Sequence, residues 1–114
     1  MVSEESGFWK ENLDRAFSEI RRVLKHNGTL VIIETLGTGF QLPHPPNHLI
    51  EYYNGLESDH GFSSTWIRTD YRFPNNEKAE KSTRFFFGDE LANKVKEKKL
   101  ISVLECTGIW WKRW

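Results

Sequence analysis

Residues 19–35 restrict the possible folds more than any other part of the sequence, because the end of a predicted helix is followed there, after one tight turn, by an apolar strand. Five apolar side chains recur at helical spacing and predict one buried helix face, formed by Trp9, Leu13, Phe17, Ile20 and Leu24. Asn27 and Gly28 predict the helix end, since both residue types tolerate positive φ. The strand expected over 29–35 holds a continuous apolar run at 30–33, which is typical of a strand covered on both faces. The segment therefore predicts an α/β layered fold.

The rest of the chain continues the alternation of helices and strands. A loop with two Gly and three Pro is expected over 36–46, followed by a helix that has Asn47 as its N-cap. A strand is predicted over 64–73, with cross-strand pairs formed by Arg68, Asp70 and Arg72. Helices from 74 to about 87 and over 90–98 precede a last strand over 100–111. Residues 1–114 are thus interpreted as a single α/β domain.

Composition and charge narrow the class of partner. Sixteen basic and sixteen acidic residues cancel, so no electrostatic footprint for nucleic acid or an anionic membrane is present. The first residues are acidic and polar, unlike a signal peptide, and no apolar run approaches the roughly 20 residues that span a bilayer. We therefore expect a cytoplasmic protein. The single cysteine, Cys106, excludes an intramolecular disulfide and multi-cysteine metal sites, and we expect it to be buried.

The segment at 19–35 resembles the helix-to-fifth-strand segment of class I S-adenosylmethionine-dependent methyltransferases, in which Arg-Val-Leu-Lys is commonly followed by Pro-Gly-Gly. Here Arg22-Val23-Leu24-Lys25 is followed by His-Asn-Gly, a variant of the turn. Later segments that resemble a subgroup of this family lie at 52–57, 60–62, 66–73, 85–92 and 105–111. The resemblance extends from about Trp9 to Trp111 and depends on the order and spacing of these segments.

The resemblance implies the last three strands of a seven-stranded Rossmann-like sheet, in the local order 5-7-6 with the final strand antiparallel, and flanking helices. The intact family binds S-adenosylmethionine through a glycine-rich loop on its first strand, an acidic end of its second strand and an Asp-containing turn. None of these has a counterpart in this sequence. Gly37-Thr38-Gly39 follows a strand but leads into Phe40 instead of a helix. We therefore expect no cofactor-binding residues and no S-adenosylmethionine bound by this chain alone.

Candidate site residues follow from the place of the substrate in such folds, above the carboxyl ends of the strands. We call this edge of the sheet the rim. The resemblance places the end of the strand predicted over 29–35 at the rim, with the residues Glu34, Thr35, Leu36 and Gly37. Glu34 would be a hydrogen-bonding group or a general base, or a strand-end carboxylate that caps backbone amides.

The loop and helix that follow this strand supply further rim candidates, namely His44, His48, Tyr52 and Tyr53. The two histidines have the spacing of a helical metal pair, but Pro45 and Pro46 between them disfavour a helix, and no metal site is expected. Tyr52 and Tyr53 are expected to pack in the core.

Three functional hypotheses remain. The first is the C-terminal portion of a methyltransferase that is inactive by itself. The second is a self-associating or partner-binding module derived from that fold. The third is a stand-alone enzyme that uses the rim at Glu34, His44, His48 and Tyr52, for which no nucleophile–base pair can be assembled.

The strand that begins at Thr29 and ends at Thr35 would expose one unpaired edge. We therefore expect a homodimer or higher oligomer through this edge, or pairing with a chain that carries the N-terminal half of the fold. The sequence leaves the methyl acceptor open.

Overall fold

A computed structural model describes residues 9–114, which form four α-helices and five β-strands. The helices are α1 Trp9–Val23, α2 Ile50–Ser58, α3 Asn76–Phe87 and α4 Asp89–Glu97. The strands are β1 Thr29–Thr38, β2 Ser63–Arg68, β3 Tyr71–Arg72, β4 Ser102–Val103 and β5 Glu105–Arg113. The predicted α/β class is confirmed, in the form of a small antiparallel sheet with flanking helices.

The main sheet has three strands in the order β1-β5-β2. β5 is antiparallel to both neighbours, with Ile109 of β5 opposite Ile33 of β1 and Thr65 of β2. β1 and β2 therefore run parallel to each other with β5 inserted between them. Strands β3 and β4 pair separately as a second, two-stranded antiparallel sheet.

Helices α1 and α2 cover one face of the main sheet. The predicted helix face is confirmed for Leu13 and Phe17, which are buried in a cluster with Leu56 of α2 and Trp110 of β5. Asn27 has the positive φ of 63° that the turn after α1 requires. The remaining buried members of this cluster are Tyr52, Tyr53 and Phe62.

The opposite face of the sheet is open. Leu30 and Ile32 pack on the buried cluster, whereas Val31 and Ile33 keep 51% and 65% of their surface exposed. The prediction that β1 is covered on both faces is therefore wrong for the chain as described, because alternate side chains of a strand point to opposite faces and both packed helices lie on one of them. Residues of α3 and α4 instead pack with β4 in a second cluster formed by Ala79, Val95 and Val103.

β1 runs three residues past its predicted end and contains a register shift. Thr35 lies opposite Thr107 and Thr38 lies opposite Glu105, so β1 has one more residue than β5 across this interval. Such a bulge rotates the residues beyond it relative to the regular alternation of a strand. Thr35 and Thr38, three residues apart, consequently both reach Glu105.

Two predicted strands are each divided in two. The strand expected over 64–73 is broken between β2 and β3, where the Asp70 carboxylate accepts a hydrogen bond from the Glu105 amide at 3.0 Å. Arg68 forms an ion pair with this same Asp70, two residues along the chain. The prediction that Arg68 and Asp70 form cross-strand pairs is therefore wrong. The strand expected over 100–111 is divided between β4 and β5.

The start of α2 also differs from its prediction. Asn47 is the first residue of a 3-10 turn, Asn47–Leu49, that follows Pro46, and α2 itself begins at Ile50. Pro46 precedes this turn, and its side chain has no oxygen that could cap the turn's amides. Between residues 9 and 114 no helix has the length and apolar character needed to cross a membrane.

Candidate functional site

A cleft of about 690 Å³ lies at the carboxyl end of β1. Three of the predicted rim residues line it, namely Thr35, Gly37 and His44. Distant segments complete it: Tyr71 comes from β3, Phe87 from the end of α3, Leu91 and Lys94 from α4, and Glu105 from the start of β5. The site is therefore built where the main sheet meets the α3–α4 pair.

Glu105 is the central polar group of this cleft, and only 4% of its surface is exposed. Its two carboxylate oxygens accept hydrogen bonds from Thr35 Oγ1 and Thr38 Oγ1, each at 2.8 Å. Burial and the Glu105 carboxylate raise the pKa of the Tyr71 phenol. Sequence reasoning missed Glu105; the available signal was a lone carboxylate in an otherwise apolar stretch at 103–106.

The charge of Glu105 is not neutralised by a cation of the described chain. Arg68, on the adjoining strand, donates from Nε and Nη2 to the Asp70 carboxylate at 2.9 and 2.7 Å. This contact lowers the pKa of Asp70 and raises that of Arg68. None of the ion pairs formed within residues 9–114 includes Glu105. Its neighbours are thus neutral: the hydroxyls of Thr35 and Thr38 donate to it, and the phenol of Tyr71 lies beside it.

The predicted rim residues divide between the two faces of β1. Glu34 does not line the cleft and instead lies beside Tyr52, whose pKa is raised to about 12 by burial and by the Glu34 carboxylate. Tyr53 donates from its hydroxyl to the carbonyl of Thr35 at 2.6 Å. Its ring stacks on Trp110 with centroids 4.7 Å apart. Burial, and to a smaller extent the charge of Glu34, raises the pKa of the Tyr53 phenol. Tyr52 and Tyr53 therefore pack in the core, as predicted.

The Gly37–Gly39 segment does not fit a cofactor loop. Its amides are already used, since Gly37 donates to Thr35 Oγ1 at 3.2 Å and Gly39 to the Leu104 carbonyl at 2.7 Å. A Cβ at Gly37 would lie 2.6 Å from the His44 carbonyl, so the following loop closes over it. A nucleotide-binding glycine loop needs free amides at a helix N-terminus. The amides of Gly37 and Gly39 are instead already used within the chain.

The two candidate histidines are separated by the loop. His44 is exposed, stacks on Phe40 with centroids 4.1 Å apart, and donates its amide to the Leu36 carbonyl at 2.7 Å. His48 is exposed in the 3-10 turn and does not line the cleft. Across residues 9–114 no group of three His, Cys, Asp or Glu side chains is placed to hold a metal ion. Cys106 is buried, as expected.

Comparison with known proteins found no match among protein-family models, curated proteins or solved structures.

Proposed function

We propose that this chain is the C-terminal portion of an S-adenosylmethionine-dependent methyltransferase, and that its three-stranded sheet is one end of a larger Rossmann-like sheet. The observation that carries the proposal is the arrangement of β1, β5 and β2. Two parallel strands with a later antiparallel strand between them match the order 5-7-6 that the sequence resemblance implies. In such a sheet, β1 would correspond to the fifth strand, and the fourth strand would pair with its free edge.

The free side of β1 supports completion by another polypeptide segment. Within residues 9–114, β1 pairs with β5 alone, so its other edge presents unpaired backbone groups. Residues directly opposite each other in an antiparallel pair share a face, which groups exposed Val31 and Ile33 with Trp111 and Ile109. A continuous apolar surface beside an unpaired edge is typical of an interface.

The cleft beside Glu105 supports a role in holding the methyl acceptor. It lies at the carboxyl end of β1, where open α/β sheets bind their ligands. Methyl transfer is an in-line displacement, in which the protein mainly aligns the reactants. Thr35, Tyr71 and Glu105 would orient the acceptor, whereas no residue of this chain is assigned to the methyl donor. A cytoplasmic location stays part of the proposal, and the balanced charge supports an acceptor other than nucleic acid.

The exposed edge also supports a second candidate function, self-association. A second copy of β1 would satisfy the same backbone groups and cover part of the same apolar face. This homodimer would be a binding module derived from the methyltransferase fold.

Calorimetric titration with S-adenosylmethionine, with the mass measured by light scattering on the same sample, tests the first proposal. We expect no specific heat of binding from the 114-residue chain. Micromolar one-to-one binding would show that the chain carries its own cofactor site and would refute the proposal. A mass of at least twice the 13.5 kDa of one chain would support self-association, and a monomeric mass would refute it.

The partner form of the proposal is tested by reconstitution. The chain is mixed with a polypeptide that comprises the family's first four strands, including the glycine-rich loop on the first of them, and tritiated S-adenosylmethionine is added. We expect labelled product from a panel of amine and hydroxyl acceptors only when both polypeptides are present. Stable association without any methyl transfer would support a binding module and refute the enzyme portion.

A further inference from the structure

A buried carboxylate with only neutral partners faces a cleft that is large enough for a small molecule. A carboxylate has about four lone-pair positions, and the two threonine hydroxyls use one on each oxygen of Glu105. Removing such a charge from water is costly unless it is paired and fully hydrogen-bonded. Arg68, the basic residue on the adjoining β2, is committed to Asp70. The neutral phenol of Tyr71 also lies beside Glu105. Within residues 9–114 the carboxylate nevertheless has no cationic partner, so it retains acceptor capacity for a charged donor.

The walls of the cleft favour a cation with an apolar body. Tyr71 and Phe87 form one aromatic wall with ring centroids 5.6 Å apart, and the stacked pair of Phe40 and His44 contributes another. Aromatic faces attract cations through their quadrupole. The charged lining residues are two carboxylates, Glu90 and Glu105, against one ammonium group, that of Lys94. The formal charge of the lining is therefore negative.

We propose that this cleft binds a small molecule that carries a protonated amine beside an aromatic or apolar body, with the amine donating to the carboxylate of Glu105. The bulge in β1 prepares the site, because it brings Thr35 and Thr38 onto one carboxylate and holds its oxygens in place. Identification of this amine as the methyl acceptor rests on the proposed function, whereas binding of the amine does not.

Phenethylamine and its neutral analogue phenethyl alcohol are suitable probes, because they differ in charge at nearly constant shape. Each is titrated into the 114-residue chain without S-adenosylmethionine, and the amide shifts of Thr35, Thr38 and Glu105 are followed by NMR. We expect the amine to shift these amides and to bind at least about tenfold more tightly than the alcohol, as a hydrogen bond to a charged group implies.

Glu105→Gln keeps the size and an acceptor oxygen but removes the charge, and we expect it to abolish the preference for the amine. Glu97→Gln is the matched control, since it makes the same change at an exposed position of α4 that does not line the cleft and should leave the preference within about twofold. Equal binding of amine and alcohol by the unaltered chain would overturn the proposal. So would an amine preference that survives in folded Glu105→Gln.

A second variant tests the proposal independently, in case Glu105→Gln does not fold. Thr38→Val removes one hydroxyl donor but keeps the carboxylate, so amine binding should be retained or strengthened. Loss of amine binding in folded Thr38→Val would indicate that the hydroxyl, not the charge, holds the ligand, and would refute the proposal. Because no methyl transfer is measured, failure here is distinguishable from failure of the proposed function.

Discussion

Replacement of Ile33 by lysine tests whether the free edge and open face of β1 form an interface. Ile33 lies in the middle of β1, opposite Ile109, with 65% of its surface exposed. Since most of this side chain already contacts solvent, Ile33→Lys should change the unfolding free energy of a monomer by only about 0.5 kcal/mol. A larger effect is expected on association, because an unpaired charge on an edge strand opposes strand pairing.

The size of that effect follows from the area that an interface would cover. Full burial of an aliphatic side chain stabilises by about 1.5–3 kcal/mol, so covering the exposed two-thirds of Ile33 contributes about 1–2 kcal/mol. A symmetric dimer contains this residue twice, which gives about 2–4 kcal/mol. At about 1.4 kcal/mol per factor of ten, Ile33→Lys should raise the dimer Kd by roughly 30- to 700-fold.

Sedimentation equilibrium over a concentration series measures this Kd. Ile101→Lys is the matched control, because it makes the same change at an exposed isoleucine outside the main sheet and should leave the Kd unaltered. An equal shift in both variants would show that added charge alone disperses the protein. An unchanged Kd in Ile33→Lys, or a dimer that forms through another surface, would refute the reasoning.

Two further predictions concern single residues around the site. Burial and Glu34 raise the pKa of Tyr52 from 10.0 to about 12, so the folded state favours the neutral phenol. The stabilisation that results is fully present below pH 10 and is lost as the pH rises through 12. Thermal unfolding between pH 10 and 12 should therefore show a smaller loss of stability in Tyr52→Phe than in the unaltered chain, and equal losses would contradict this. Gly37→Ala should destabilise by about 1–3 kcal/mol in urea unfolding, since φ is +122° and the new Cβ would meet the His44 carbonyl. Gly55→Ala is its control within α2, where the new Cβ makes only ordinary contact and should stabilise by about 0.5–1 kcal/mol.

Local sequence patterns predicted several elements well. The apolar spacing that includes Leu13 and Phe17 predicted the buried face of α1, and Asn27 adopts the positive φ expected after it. The same patterns predicted α3 and α4 to within a few residues of their observed bounds. Periodicity succeeds here because helix and turn formation depend on residues that are three or four positions apart.

The candidate site could be predicted only in part. Thr35, Gly37 and His44 line the cleft as expected, since the first two lie in the last residues of β1 and His44 lies in the loop after it. Glu34 was assigned to the same rim, but it lies on the helix-covered side with Tyr52, because the strand alternates between faces. Where the strand divides, the Asp70 carboxylate accepts a hydrogen bond from the Glu105 amide, 35 residues away, and such a long-range contact is not specified by neighbouring residues.

The sequence by itself determined the α/β class, the main helices and the apolar character of β1, because these properties follow from short-range periodicity and turn chemistry. Tertiary structure alone decided that Glu105 joins Thr35, 70 residues away, and Thr38, 67 residues away, in one buried cluster. That contact requires both the pairing of β1 with β5 and one extra residue in β1. Strand register is set by packing across the sheet, where a shift of one residue reverses every side chain.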